Sequence, residues 1–335
     1  MKHLKLFFYL ISFSLAFTAC GGDDDDTGGG GNNGGKSGGD ETSQYVRSAS
    51  NTNANIGDGQ NSLVKPYVNN LEFPSLKTTG NNVVVVHLDN TIGLNYTVEW
   101  DADKHAQRWS CYQLHGNNSM KNTDRYKSDT NQYPNDESLD SKYHFTDDPY
   151  RGSGFDHGHI CPSNDRLASE KANYQTFFLT NMQPQLSGFN GSDKQGGVWL
   201  HMENQLFSRL SGASHWNTSN FREILYVCKG GTIDSEANLY EPRPYIGSGS
   251  NKIPVPKYFF MAILCKKPAS QGGGYEAAAF WVEHKTNYDK NLLKYLISID
   301  ELEQKTGIDF FCNLPDKTED VVEKTIGSSF KVGLQ

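Results

Sequence analysis

Two short polar clusters carry the chemistry of this chain. Residues 156–166 read Asp-His-Gly-His-Ile-Cys-Pro-Ser-Asn-Asp-Arg, so two imidazoles, His157 and His159, stand two residues apart. Further on come Asn181-Met-Gln-Pro-Gln185, then Asn190, Trp199 and Glu203. A neutral imidazole accepts a proton from water near pH 7, its unperturbed pKa being about 6.5. A carboxamide and a carboxylate suit a hard divalent cation, which neutralises charge on an oxyanion and its leaving group. Arg166 offers a planar fork for a phosphate. Together these residue types point to hydrolysis assisted by a divalent metal.

In this order the two segments resemble the DNA/RNA non-specific endonucleases of the ββα-metal class. That family's pattern is Asp-Arg-Gly-His, then Asn-x-x-Pro-Gln, a metal-binding Asn, and Trp-x-x-x-Glu; the likeness spans roughly residues 70–330. It implies His159 as general base, Asn190 as Mg²⁺ (or Mn²⁺) ligand, Glu203 acting beside the metal, and Arg166 in catalysis and phosphate binding. DNA and RNA are the implied substrates, and no protein partner is implied. The chain departs from the pattern twice. His157 stands where the family has Arg, which keeps a donor for the substrate but loses the fork. Eight residues separate Asn190 from Trp199, with Gly191, Gly196 and Gly197 among them, where the family has about three. Counting back four from Trp199 gives Gln195 as a rival ligand; the intact spacing from Pro184-Gln185 favours Asn190.

Other chemistries compete. His157 and His159 on one strand face also have the spacing of a zinc hydrolase, with His201 or His215 as a third ligand. A non-catalytic surface protein that binds a polymer through Tyr- and Asn-rich loops is compatible with the 17 Tyr but leaves His159 and Asn190 without a purpose.

The first residues read as an address. Lys2 and Lys5 precede an apolar run, Leu6 to Phe17, too short to span a bilayer and suited to a signal-peptide core. It ends in Phe17-Thr18-Ala19-Cys20, a loose bacterial lipobox with Cys20 as the lipidated residue. Residues 1–20 are thus expected to be a lipoprotein signal peptide, placing an exported protein on a bacterial membrane, periplasmic or at the cell surface. Residues 21–44, with Asp23–Asp26 and Gly28–Gly31, have almost no apolar surface to bury and are expected to form a disordered tether.

The remaining chain is long enough for one large domain. Net charge is −8 overall; the tether holds six acidic groups against one Lys and the leader two Lys, so the rest carries −5. A phosphate backbone is usually met by a basic field, so the charge excludes a high-affinity nucleic-acid binder and leaves room for an enzyme with a local cationic patch. Five cysteines besides Cys20 fit no zinc-finger spacing, and an odd number leaves at least one thiol without an internal partner.

The elements that must position these residues follow from periodicity. Val83–Leu88, Ile224–Cys228, Tyr258–Cys265 and Ala277–Val282 read as strands, and Tyr96–Trp100 with Arg108–Leu114 as a hairpin. Phe155–Cys161 is expected to be extended. Residues 115–150 read as long loops, and Asp165–Phe178 as a helix. Trp199, Met202, Leu206 and Leu210 recur at helical spacing. Ser298 with Glu301 is a capping box, and Gly307 a stop. The expected fold is α+β: a mixed, mostly antiparallel sheet with packed helices and a ββα active-site motif.

Overall fold

The computed structural model describes residues 49–57, 60–210, 214–332 and 334. The expected signal peptide, Cys20 and the tether lie outside these residues.

The chain opens with three antiparallel strands, β1 (Asn82–Asp89), β2 (Gly93–Asp101) and β3 (Ala106–Leu114). A long polar excursion leads to a short ribbon of β4 (Asp156–His159) and β5 (Met182–Gln185), with helix α1 (Glu170–Gln175) between them. Helices α2 (Ser187–Asn190) and α3 (Val198–Leu206) follow. The main sheet resumes with β6 (Ile224–Gly231). A two-residue ribbon, β7 (Tyr245–Ile246) and β8 (Ile253–Pro254), precedes β9 (Tyr258–Lys266), β10 (Tyr275–Glu283) and β11 (Leu296–Ile297). The order across the sheet is β1-β2-β3-β6-β9-β10-β11, and every neighbouring pair is antiparallel. Helices α4 (Ile299–Thr306), α5 (Asp316–Glu323) and α6 (Ser328–Lys331) close the chain. The fold is α+β as expected.

The sheet has a core on each face, because period-two alternation sends successive side chains to opposite sides. Along β1, Val85 enters one core while Val84 and Val86 enter the other. On β3, Tyr112 and Leu114 share the first face, Trp109 and Cys111 the second. The first core takes Ile160, Met182, Trp199 and Met202 from the ribbon and α3; the second takes Ile299, Leu302, Phe310 and Val322 from the C-terminal segment. Residues 51–57 and 60–74 also belong to the folded body: Val64, Val68 and Phe73 lie in the second core, and the Asn55 amide donates to Asn313 Oδ1 at 3.0 Å. The five cysteines are buried free thiols.

Two expected helices are trimmed. Of Asp165–Phe178 only α1 is α-helical, because the Ser169 side chain caps at Ala172 and 3-10 turns flank it. The helix containing Trp199 ends at Leu206 rather than Leu210, where Phe207 turns extended (φ −155°). The capping box behaves as read: Ser298 Oγ accepts from the Glu301 amide at 3.2 Å, and Gly307 ends α4 at φ +68°.

The β4–β5 ribbon is fastened to the sheet by buried carboxamides. Asn181 Oδ1 accepts from the Cys161 amide (2.9 Å) and Ser110 Oγ (3.3 Å); its Nδ2 donates to the carbonyls of Cys161 (2.9 Å) and Thr176 (2.8 Å). Gln183 Nε2 donates to the carbonyls of Gln107 (3.0 Å) and Gly231 (3.4 Å), tying β5 across β3 and β6. Leaving buried polar groups unpaired costs about 1–3 kcal/mol each. Asn181→Ala is therefore expected to lower stability by about 3 kcal/mol or more in urea unfolding; a loss below about 0.5 kcal/mol, the size of an ordinary surface change, would show that this clamp is not structural.

Candidate active site

His157 and His159 pair with Pro184 and Met182 across the ribbon and so face the same way. Gly158 between them turns its α-carbon toward β5. A Cβ there would lie 2.3 Å from Gln185 Cδ, so the glycine leaves room for the buried Gln185 side chain.

The histidines border a cleft of about 460 Å³ with Arg125, Tyr133, Asp156, Asn164, Asn190 and Glu203. The ring of His159 stands edge-on to Phe177, 4.9 Å between centroids, and its Nε2 is buried without a hydrogen-bond partner among the described residues. Burial, and next the Arg125 guanidinium, hold its pKa well below the ordinary imidazole value. His159 is therefore neutral at pH 7 with a nitrogen able to accept a proton.

His157 is differently placed. It is stacked between Tyr133 (3.7 Å between centroids, 6°) and Tyr150 (4.2 Å, 28°). Its Nε2 meets the two Asp148 oxygens at 3.1 and 3.2 Å. That hydrogen bond and the two rings occupy both its polar edge and its faces, so the residue that replaces the family's Arg shapes the cleft wall with its donor already engaged.

The Asn190 carboxamide identifies its own orientation. Nδ2 donates to Asp156 Oδ2 at 3.1 Å. An ionised carboxylate can only accept, so the amide nitrogen must face it, which leaves the carbonyl Oδ1 for another partner. Ser192 Oγ donates to the same Asp156 oxygen. The extra residues after Asn190 form a closed excursion. Gly191 ends α2 at φ +87°, and Gly197 begins α3 so close that a Cβ on it would sit 2.0 Å from the Phe189 carbonyl oxygen. The excursion returns to its starting point, so Asn190 keeps its station beside α3 despite the longer spacing. Gln195 lies exposed on it, outside the residues bordering the cleft.

Glu203 reaches the cleft from α3, one turn beyond Trp199. Its Oε1 accepts from Lys229 Nζ at 2.7 Å. Lys229, on β6, has a fully buried side chain whose ammonium lies 4.6 Å from the Trp199 ring centroid. Burial pushes the Glu203 pKa up, and Lys229 opposes that shift. Neither charge would be tolerable there alone.

Arg166 is corrected by the structure. It is fully buried, donates from Nη2 to the Gln113 carbonyl at 2.8 Å and stacks over Tyr112 at 4.6 Å. The 3-10 turn Ser163–Asp165 carries it behind the cleft, so it braces the motif and does not touch a phosphate. Arg125 is the guanidinium on the cleft, hydrogen-bonded to Ser163 Oγ and 4.7 Å from the Phe177 ring centroid. Arg209 donates to the carbonyl of Asn164, a residue that borders the cleft, at 3.0 Å. Arg125 and Lys229 escaped the sequence reading because they come from a patternless loop and a core strand. A Lys inside the buried run of β6 was the one available signal.

A zinc site does not form at the two histidines. Among the described residues, no third His, Cys, Asp or Glu joins them within ligand distance. His201, half-buried, is not among the residues bordering the cleft, and His215 packs on Phe207.

Comparison with known proteins gives the family. The model of the DNA/RNA non-specific endonuclease family matches residues 80–317. The chain is 27% identical to human mitochondrial Endonuclease G over 238 residues, covering 70% of this chain and 73% of that protein. It is 25% identical to a nuclease of a Nostoc species over 237 residues, 69% and 76% of the two chains. To mouse mitochondrial Nuclease EXOG it is 24% identical over 229 residues, 68% of this chain but 58% of the relative's length. A crystal structure of an EndoG/EndoGI complex contains a chain with the same fold, at TM-score 0.55 and 23% identity, over 73% of this chain and 90% of that one. The chain belongs to the DNA/RNA non-specific endonuclease family and is an endonuclease.

Proposed function

We propose that this endonuclease hydrolyses phosphodiester bonds in DNA and RNA without sequence preference, using His159 as general base and a Mg²⁺ ion held through Asn190. The observation that carries this reading is the His159 Nε2: buried, neutral and unpartnered beside a carboxamide whose Oδ1 is free for a cation. The donor set fits a hard ion that keeps most of its water, as Mg²⁺ does and Mn²⁺ can. Such an ion, when bound, neutralises charge on the phosphoryl oxygens and the leaving oxygen. The chain's own residues do the rest. His159 Nε2 takes the proton of the attacking water. Asp156 holds Asn190 in the orientation that presents Oδ1. Glu203, its charge balanced by Lys229, orders water at the cleft. Arg125 gives the local positive charge that a domain of net charge −5 needs to meet a phosphate. No helix or finger pattern for reading base edges was found in the sequence, which agrees with non-specific cleavage.

The decisive experiment is digestion of plasmid DNA and of RNA with and without EDTA. Chelation should stop the reaction and Mg²⁺ or Mn²⁺ should restore it better than Zn²⁺. His159→Ala should lose about 10²–10⁴ in rate while remaining folded, and Asn190→Ala should need more Mg²⁺ than wild type where Gln195→Ala does not. Activity of the His159 variant within tenfold of wild type would remove the base from the mechanism.

The pH profile tests the electrostatics. Since burial and Arg125 both lower the His159 pKa, the acid limb of kcat/KM should lie below about pH 6.5. Arg125→Ala removes a repelling charge and admits water. Both changes favour the imidazolium, so the limb should move to higher pH. An unmoved limb would detach it from His159.

We also propose that the protein is exported and held to a bacterial membrane through a lipid on Cys20, the support being the short apolar run and the small residues before that cysteine. Cys20→Ser should move the protein from the membrane to the soluble fraction with nuclease activity unchanged; retention on membranes would refute the anchor.

A further inference from the structure

On the sheet face opposite the cleft, α4 and α5 bring acidic side chains together. One oxygen from each of Asp300, Glu303 and Glu323 lies within 4.8 Å of the other two. Oxygens bound to one Ca²⁺ at about 2.4 Å can be no more than about 4.8 Å apart, so the spacing permits one shared ion. Glu323 is only 6% exposed, and its Oε1 has no hydrogen-bond partner. A buried, unpaired carboxylate oxygen aimed at two other carboxylates lacks a positive counterpart.

The surroundings supply none. Asp309 and Glu319 add two more acidic groups, and both accept from Asn53 Nδ2, at 3.3 and 2.8 Å. The Phe310 amide donates to Glu303 Oε1 at 2.7 Å. No Lys or Arg forms an ion pair with any of these five carboxylates among the described residues. Burial and the neighbouring acids push the Glu323 carboxyl to about 10, and Glu303 and Glu319 to about 7. Without a cation the cluster must hold protons at neutral pH.

We propose that Asp300, Glu303 and Glu323 form a second, structural site for a hard divalent cation, of the Ca²⁺ class, that pins α5 to α4. All three donors are oxygens, which selects against zinc and copper, and a partly open arrangement of carboxylates from two helices suits the loose geometry of Ca²⁺ better than the strict octahedron of Mg²⁺. Ile299 and Leu302 on α4 and Val322 on α5 face the second core, so the ion closes the outer side of the layer that covers the sheet. The catalytic cleft lies over the first core, and the two sites do not share a residue.

The test uses the full chain, stripped with EDTA and dialysed, carrying Asn190→Ala so that the catalytic site contributes little. Added Ca²⁺ should raise its Tm, and calorimetry should find one site per chain. Glu323→Gln in this background should abolish the rise and weaken binding on the order of 10–100-fold or more, while Glu323→Gln alone should leave Mg²⁺-supported plasmid digestion unchanged. Should the Gln variant fold poorly, Asp300→Asn must produce the same loss of response. The proposal is overturned if Ca²⁺ leaves the Tm unchanged, if the Glu323→Gln protein responds as its parent does, or if Glu323→Gln simply stabilises a parent that ignores Ca²⁺, which would mean that the carboxylates share protons. The effect of Glu323→Gln is read against its own parent, so its loss or persistence does not depend on whether His159 and Asn190 act as proposed in the cleft.

Discussion

The site depends on how a four-residue strand, β4, is held in register beside β5. Ribbons of this length are marginal by themselves. This one persists because carboxamides at its ends are paired inside the protein: Asn181 bridges Ser110, Cys161 and Thr176, and Gln183 reaches carbonyls on the main sheet. Buried amide bonds are directional and costly to break, so they fix position more sharply than apolar packing does. The glycine at 158 leaves room for the Gln185 side chain, and the two histidines project side by side. The placing of both histidines rests on this clamp.

On that frame, charge is arranged so that one imidazole stays neutral. His159 packs edge-on to Phe177 with Arg125 near, and burial and that charge both oppose protonation. His157, two residues away, is bound to Asp148 and enclosed by two tyrosines. Identical residue types thus have separate duties, set by surroundings. The same principle separates the carboxylates and the arginines. Glu203 is kept at the cleft by a buried lysine, whereas Arg166, named by its motif position, is spent on bracing Gln113 and Tyr112. The guanidinium facing the cleft comes instead from Arg125, in a loop without any recognisable pattern. An acidic domain can then meet a polyanion through a small local patch, and weak ground-state binding lets product leave.

The antiparallel sheet also separates two environments. One face carries the ribbon, α3 and the cleft; the other carries α4, α5 and a cluster of carboxylates. Electrostatic demands on the two faces are opposite in kind. The cleft must bring cationic groups to a phosphate, while the far face holds acids that need either protons or a cation.

Much was written in the chain itself. The nearly continuous apolar runs at 83–88 and 258–265 suit strands between two apolar layers, and a Ser298–Glu301 box followed by Gly307 starts and stops a helix by local hydrogen bonding. The His-x-His segment was legible as extended chain, and His159 and Asn190 were legible as candidates through their likeness to the family's motif. What remained hidden is long-range. The extents of α1 and α3 were overestimated because neighbouring turns, not propensity, end them. Lys229 lies 26 residues from Glu203 in sequence, and Arg125 lies 34 residues from His159, so no periodicity links either pair. Whether the excursion from 191 to 197 displaced Asn190 depended on its folding back upon itself, and whether Arg166 met solvent depended on one 3-10 turn. Sequence determined the local conformations and the inventory of reactive groups; only packing between distant segments decided which of those groups share a cleft, because burial and charge are properties of what surrounds a residue and not of its neighbours in the chain.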